Sequence, residues 1–462
     1  MRLTPILCSI FLTLLTACGQ SSPESQELAQ NSKKAELFEV VDYSPYRHNQ
    51  GPGGAEPTAQ EIREDLRLLK QVTSEIRVYG MGPLTQTILA LAESEGLGVH
   101  IGAWLSYDPA AAVAESKPTS LSDLKSQMPS ANLSQIESLI DTAKQYAQGP
   151  ESKRQVIRSL IIGSETQYRH EMSDERLVNY ISYVRQSLLA SGISSYKITS
   201  AQIYSTYSPV LAQAVDFVLY HVHPLWEEVP ISDAADAVIC SWTLMRKQLG
   251  QWEQQGYKGL AKKPMVIGET GWATRGNALG QAQPSEDNQL TFLKDLAVKV
   301  QTYQKTSGEL MHIMYFDAFD EDWKHDEGSV GDSWGLYDIN RKPKRALRSL
   351  LNLPEDQGAN PPPAPDRIKP PVIPASEAFG TKVSDGKLVF FVNQADWVDL
   401  HYKINGGAQQ NLRMPRINDS FVFELGSLKA QDSVDYFFTI GASQVKDSPW
   451  ARATLTQALF KL

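Results

Sequence analysis

From Phe38 onward the chain alternates short runs of β-branched and aromatic residues with longer stretches whose apolar side chains recur every three or four positions. The runs are Phe38–Tyr43, Glu75–Tyr79, Gly98–Trp104, Leu160–Gly163, Lys197–Ala201, Phe217–Val222, Met265–Gly268 and Met311–Phe316. Between them Thr58–Gln71, Ser173–Ala190 and Glu286–Ser307 carry the apolar stripe of an outer-ring helix. Eight strands alternating with helices predict an α/β chain whose main part, residues 36–353, is a (β/α)8 TIM barrel. A doubly wound sheet fits less well, because no glycine-rich phosphate turn follows the first strand.

The pattern changes near the end of the chain. Lys387–Val392, Trp397–Ile404, Phe421–Leu425 and Asp435–Ile440 are short β-rich runs, and Asn405-Gly406-Gly407 is a hairpin turn. Residues 375–462 are therefore predicted to form a small all-β sandwich. The stretch 354–374, with Pro361-Pro362-Pro363-Ala364-Pro365 and Pro370-Pro371, forces extended backbone and is expected to be a linker. At the other end, Met1-Arg2-Leu3 precedes an apolar run from Ile6 to Leu15, too short for an ordinary membrane span, so residues 1–17 are expected to be a signal peptide. That run closes on Leu15-Thr16-Ala17-Cys18-Gly19, which resembles the bacterial lipobox and implies lipidation of Cys18. Gly19 in place of an aspartate points to the outer membrane. The expected location is thus a secreted lipoprotein held to a membrane by its N-terminal lipid, with the polar segment 18–35 as a flexible tether.

Composition narrows the partners. A formal charge of −9 with no Lys/Arg cluster repels phosphate backbones, so nucleic acid is not an expected partner and a neutral polymer is. Three cysteines, two of them within the first 18 residues, leave Cys240 with nothing to pair with inside the body of the chain. A monomer is expected.

In a barrel of this kind chemistry sits at the C-terminal ends of the strands. Two runs end in glutamate: Ile162-Gly163-Ser164-Glu165-Thr166 and Ile267-Gly268-Glu269-Thr270-Gly271-Trp272. Strands four and seven face each other across the mouth, the arrangement glycosidic cleavage requires of an acid and an opposing carboxylate.

The segment Gly268-Glu269-Thr270-Gly271-Trp272 resembles the nucleophile motif of family 17 glycoside hydrolases, the β-1,3-glucanases among the retaining (β/α)8 enzymes. Tyr43, Arg77-Val78-Tyr79, the strand before Glu165, His221-Val222-His223-Pro224-Leu225-Trp226-Glu227 and Phe319-Asp320-Glu321-Asp322-Trp323-Lys324 are similar to the same family. The resemblance implies retaining cleavage of β-1,3-glucan such as laminarin, with Glu165 as acid/base and Glu269 as nucleophile, and neither metal nor cofactor. It also implies sugar contacts from Tyr43, Arg77, Tyr79, Ser164, His223, Trp226, Trp272, Glu321, Trp323 and Lys324.

Several of these have a second reading. Arg77 either orients Glu269 or makes a structural ion pair at the mouth. His223 is placed to bond Glu269 or sugar. His221 and His223, two apart on one strand face, are of a metal-ligating type, but no third ligand at suitable spacing accompanies them. Glu321 and Lys324 line a subsite or sit on a solvated loop, and Trp104, Trp226, Trp272, Trp323 and Trp334 either stack on sugars or fill core. One position departs from the family: Ser164 stands where an asparagine usually contacts the sugar 2-hydroxyl, and its hydroxyl is shorter. In the last segment, Ala395–Tyr402 and Asn405–Asn411 resemble a carbohydrate-binding module of β-1,3-glucanases, with Trp397, Tyr402 and Trp450 as its stacking residues or as core plugs. Three functions are compatible with these features: a hydrolase, a β-1,3-glucanosyltransferase and a non-catalytic surface glucan binder.

Overall fold

The structure, a computed structural model, describes residues 38–108, 120–326, 328–354 and, apart from short breaks, 378–454. Cys18, the signal peptide, the tether and nearly all of the proline-rich linker lie outside the described residues.

Eight parallel strands close on themselves in sequence order: β1 (Val40–Asp42), β2 (Glu75–Val78), β3 (Gly98–Ala103), β4 (Ile157–Ser164), β5 (Lys197–Ile203), β6 (Val218–His221), β7 (Met265–Thr270) and β8 (His312–Tyr315). Val40, Ile161, Ala201, Leu219 and Met314 come from five of these strands and pack on one another, which is possible only inside the barrel. The larger core lies between the strands and the surrounding helices. Helix Ala59–Leu69 buries Ile62, Leu66 and Leu69 at helical spacing, and Thr58 and Glu61 close its N-terminus as a reciprocal capping box. Helices Asp174–Leu189 and Glu286–Ser307 begin with serine N-caps and acidic first turns, which satisfy orphan N–H groups and suit the helix dipole.

The strands that lead to Glu165, His221 and Glu269 are irregular at their C-terminal ends. Register shifts occur between Ile161 and Ser164, between Tyr220 and His221, and between Ile267 and Thr270. Such bulges bend a strand and re-aim the side chains that follow. Gly163 takes φ 72° at the first of them. Gly271 has no room for a side chain, because a Cβ there would overlap the Phe316 carbonyl oxygen at the end of β8.

Beyond the barrel, the described residues form nine short antiparallel strands in two sheets. One has the order β13 (Arg416–Ile417), β14 (Ser420–Leu425), β10 (Lys387–Asn393), β9 (Phe379–Ser384). The other has the order β12 (Gln410–Arg413), β11 (Trp397–Ile404), β15 (Ser433–Gly441), β16 (Lys446–Asp447), with β17 (Ala451–Thr454) also paired to β15. Strict alternation along β11 and β15 sends Val398, Leu400, Val434, Tyr436 and Phe438 into a separate apolar core with Leu388, Phe390 and Val392. Asn405 and Gly406, at φ 50° and 70°, make the tight turn that follows β11. Among the described residues no helix is long and apolar enough to cross a membrane.

Candidate active site

Glu165 directly follows β4, and its own φ of 53° lies in the left-handed region. A non-glycine residue there is strained by about 1 kcal/mol or more, a cost that the fixed turn after Gly163 imposes. Glu269 is on β7, nearly buried, with one side chain at each end of its carboxylate: Arg77 Nη1 lies 3.1 Å from Oε1, and His223 Nε2 lies 3.3 Å from Oε2. Arg77 is itself buried and fixed, donating to the Gly268 carbonyl at 2.7 Å and lying 3.8 Å from Asp42. Glycine at 268 leaves the space that the Leu219 and His221 side chains occupy against that backbone.

His221 occupies the centre. Its Nδ1 is 2.7 Å from Glu165 Oε1 and its Nε2 is 3.2 Å from Glu269 Oε1. One imidazole thus spans both glutamates, and the three side chains offer polar atoms all within 4.8 Å of one another. That separation is of the order of the ~5 Å typical of retaining glycosidases and below the ~6.5 Å or more of inverting ones. These are also metal-ligating residue types. An ion would have to enter beside the Arg77 guanidinium and break the contact between His221 and Glu165, so the donor set is already satisfied from within.

Burial alone would raise the Glu269 carboxyl. The His221 and Arg77 charges and the His223 hydrogen bond outweigh it and hold Glu269 well below the usual carboxylate range, which favours the ionised form. Burial would also raise Glu165, but the His221 hydrogen bond and charge bring it below its ordinary value. A general acid must hold a proton when the bond breaks, and this contact favours the carboxylate. Asp42, behind Arg77, is pushed well up by its complete burial, with Arg77 offsetting part of the effect.

The expected sugar contacts divide. Tyr79 lies at the mouth, with the Arg77 guanidinium 4.6 Å above its ring. Trp226 is exposed and stacks on Trp334 at 6.0 Å and 28°, and Trp334 in turn packs against His223 at 5.2 Å, forming an aromatic wall beside Glu269. Trp104 is exposed too, with Arg169 of the loop that follows Glu165 4.6 Å over its ring. Trp323 donates its indole N–H to Glu321 at 3.0 Å, and Glu321, buried, is paired with Lys324.

Two expectations are corrected. Tyr43 is buried, with its hydroxyl on Asp65 at 3.2 Å, and Trp272 is fully buried against Phe292 with its N–H on the Gln283 carbonyl at 3.0 Å, so neither ring presents a face to a sugar. Tyr402 is likewise a core plug, packed near Phe390 and Phe423, whereas Trp450 is exposed. Sequence reading missed the position of His221 between the two glutamates. The available signal was its place on the same strand face as His223, facing the ends of β4 and β7.

Residues 40–335 match the BtgE/BtgC glycoside hydrolase domain, and residues 380–448 match carbohydrate binding module family 56. The probable glucan endo-1,3-beta-glucosidase btgC of Aspergillus fumigatus is 24% identical over 357 residues, covering 71% of this chain and 46% of that protein. The glucan 1,3-beta-glucosidase of Saccharomyces cerevisiae is 22% identical over 305 residues, covering 63% of this chain and 85% of that protein. The chain spans about half the length of the btgC relatives it matches. An endo-laminarinase from Formosa Hel1_33_131 shares the fold at a TM-score of 0.54 and 17% identity, over 69% of this chain and 88% of that chain. With the domain match running through every strand from β1 to β8 and covering more than half of the 462 residues, the chain belongs to the BtgE/BtgC glycoside hydrolase family.

Proposed function

We propose that this protein hydrolyses β-1,3-glucan with retention of configuration. The observation that carries the reading is the pair of glutamates at the ends of β4 and β7, one nearly buried and held ionised, the other a quarter exposed and within 4.8 Å of it. Glu165 protonates the leaving oxygen as Glu269 attacks the anomeric carbon, and Glu165 then takes a proton from the water that releases the sugar. The substrate class is supported by the names of the relatives, and by the exposed Trp104 and Trp226, whose flat apolar rings suit pyranose faces.

Incubation with laminarin, with NMR of the first anomer formed, tests the reaction. β-Glucose ends from wild type, with turnover lower by roughly a thousandfold in Glu269→Gln while glucan binding persists, are the expected results. Inverted product overturns the mechanism. Products longer than the substrate identify transfer instead of hydrolysis, and binding without any product identifies a glucan-binding protein.

The run Leu15–Gly19 supports a lipid anchor on Cys18 and an outer-membrane location. Palmitate labelling of the expressed protein that Cys18→Ala does not remove would refute the anchor. The match to a carbohydrate binding module supports glucan binding by residues 378–454, with the exposed Trp450 as one contact.

A further inference from the structure

Glu165 keeps a left-handed backbone, φ 53°, which persists only where the surrounding structure holds it. What holds it is a set of hydrogen bonds to the two peptide units that flank its Cα. In the first unit the Glu165 N–H donates to the Ala201 carbonyl on β5 at 2.7 Å, and the Ser164 carbonyl accepts from Arg169 Nη2 at 2.6 Å. In the second the Glu165 carbonyl accepts from the Arg169 backbone N–H at 3.0 Å. Arg169 therefore reaches both carbonyls next to the one Cα from which the carboxyl projects. Its side-chain bond carries a full charge, which makes it stronger than a neutral amide contact.

We propose that Arg169 is a positioning residue for the acid/base: its guanidinium, braced on the Trp104 ring, holds the turn that aims the Glu165 carboxyl at the leaving oxygen. The inference rests on the acid role of Glu165 proposed above.

The guanidinium is itself fixed from two sides. Glu171 pairs with the same Nη2 at 2.8 Å, and the Glu171 N–H closes the loop on the Thr166 carbonyl at 2.9 Å. Trp104, just past the end of β3, has the guanidinium carbon 4.6 Å from the centre of its ring, within the range at which a cation is drawn to an aromatic face. Trp104 is anchored in turn, with its backbone N–H on Gln135 Oε1 at 3.1 Å. Holding a long, rotamer-rich side chain in one place costs entropy, and the ion pair and the stack offset that cost before substrate arrives. Release of the Ser164 carbonyl would let φ of Glu165 return to the ordinary negative region, which swings the carboxyl away from its 2.7 Å contact with His221. Among the described contacts Arg169 meets the backbone around Glu165 and not its carboxylate, so loss of Arg169 leaves the acid present but misaimed.

A proton donor matters only to leaving groups that need a proton. The test is kcat/KM, which covers the steps through the first bond cleavage, for full-length wild type, Arg169→Gln and Glu165→Gln on phenyl and dinitrophenyl β-laminaritriosides. Arg169→Gln should lose about tenfold or more on the phenyl substrate, whose leaving oxygen is basic, and less than about threefold on the dinitrophenyl one. Equal losses on both, or no loss on either, overturn the proposal, because disturbed packing does not distinguish leaving groups. Glu165→Gln separates the two readings. Equal losses there remove the acid assignment, whereas selectivity in Glu165→Gln without selectivity in Arg169→Gln removes the role of Arg169 alone. If Arg169→Gln does not fold, Arg169→Lys, which keeps the charge and loses the planar fork, is read by the same ratio. Amide hydrogen exchange gives a readout independent of turnover: residues 164–169 should exchange about tenfold faster in the variant that folds, with residues 265–270 unchanged. Unchanged exchange at 164–169 refutes the proposal even if wild type cuts neither trioside.

Discussion

Ser164 stands beside Glu165 with its hydroxyl 3.4 Å from Arg77 Nη2, and it is nearly buried. A hydroxyl that accepts from a guanidinium keeps its O–H to donate, but it offers one donor where an amide offers two. Replacing it with asparagine restores two amide donors at the position where the family usually has them. Ser164→Asn should raise kcat on laminarin by roughly tenfold, the worth of one good transition-state hydrogen bond, measured at saturating substrate. A rate at or below wild type would show that the Arg77 contact matters more. Residue roles at this scale were only partly legible. Glu165 and Glu269 could be found because strand ends and flanking glycines mark them. The burial of Tyr43 and Trp272 could not, because it depends on Asp65, Gln283 and Phe292, which approach from other parts of the chain.

At the scale of elements, all eight barrel strands fall where apolar runs predicted them, within a few residues, because a strand buried on both faces leaves a continuous hydrophobic signature. Strand β9, in which only Phe379 and Val383 are large and apolar, was missed, and β12, β13, β16 and β17 were not legible either. The latter are two to four residues long, too short for a period-two pattern to emerge, and they are held by pairing to longer neighbours. The bulges after Ile161, Tyr220 and Ile267 were equally invisible, since a register shift belongs to a pair of strands and not to either sequence. Their glycines make them testable. Gly271→Ala forces a methyl into the Phe316 carbonyl and should cost about 3 kcal/mol in urea unfolding, whereas Gly192→Ala, at φ 74° with nothing within 4 Å, should cost about 1 kcal/mol. Equal losses would show that the backbone of β7 and β8 shifts apart to admit the methyl at little cost.

At the scale of the whole molecule, the barrel and the two small sheets each enclose an apolar core of their own. Joining two glucan-binding units in one chain raises affinity for a polymer that reaches both and does nothing for a ligand that reaches one. A chain ending at Pro354 should therefore lose activity on curdlan or long laminarin by tenfold or more while cleaving laminaritetraose at the full rate. Equal losses on both substrates would indicate that the second unit supports the barrel structurally. Acid should weaken the barrel as well: Glu269 is held well below its unfolded value, so its contribution to stability is complete above about pH 5 and drains away as pH falls toward its folded value. Thermal melts at pH 6 and pH 3 should show a decline that Glu269→Gln reduces.

The barrel closes between β1, three residues long, and β8, through the registered pairs Val40↔Met314 and Val41↔Tyr315. Beside that seam His312 bonds Glu39, 273 positions away in the chain. Closing so long a loop gives up chain entropy before any contact returns it, so the seam should be the last part of the barrel to form, after neighbouring strand and helix units have assembled. Until then both edges of an incomplete sheet lie open, the condition under which unfinished chains pair with one another. One of those edges is three residues long and offers almost nothing to copy. The brevity of that edge thus makes the half-built barrel a poor seed for aggregation.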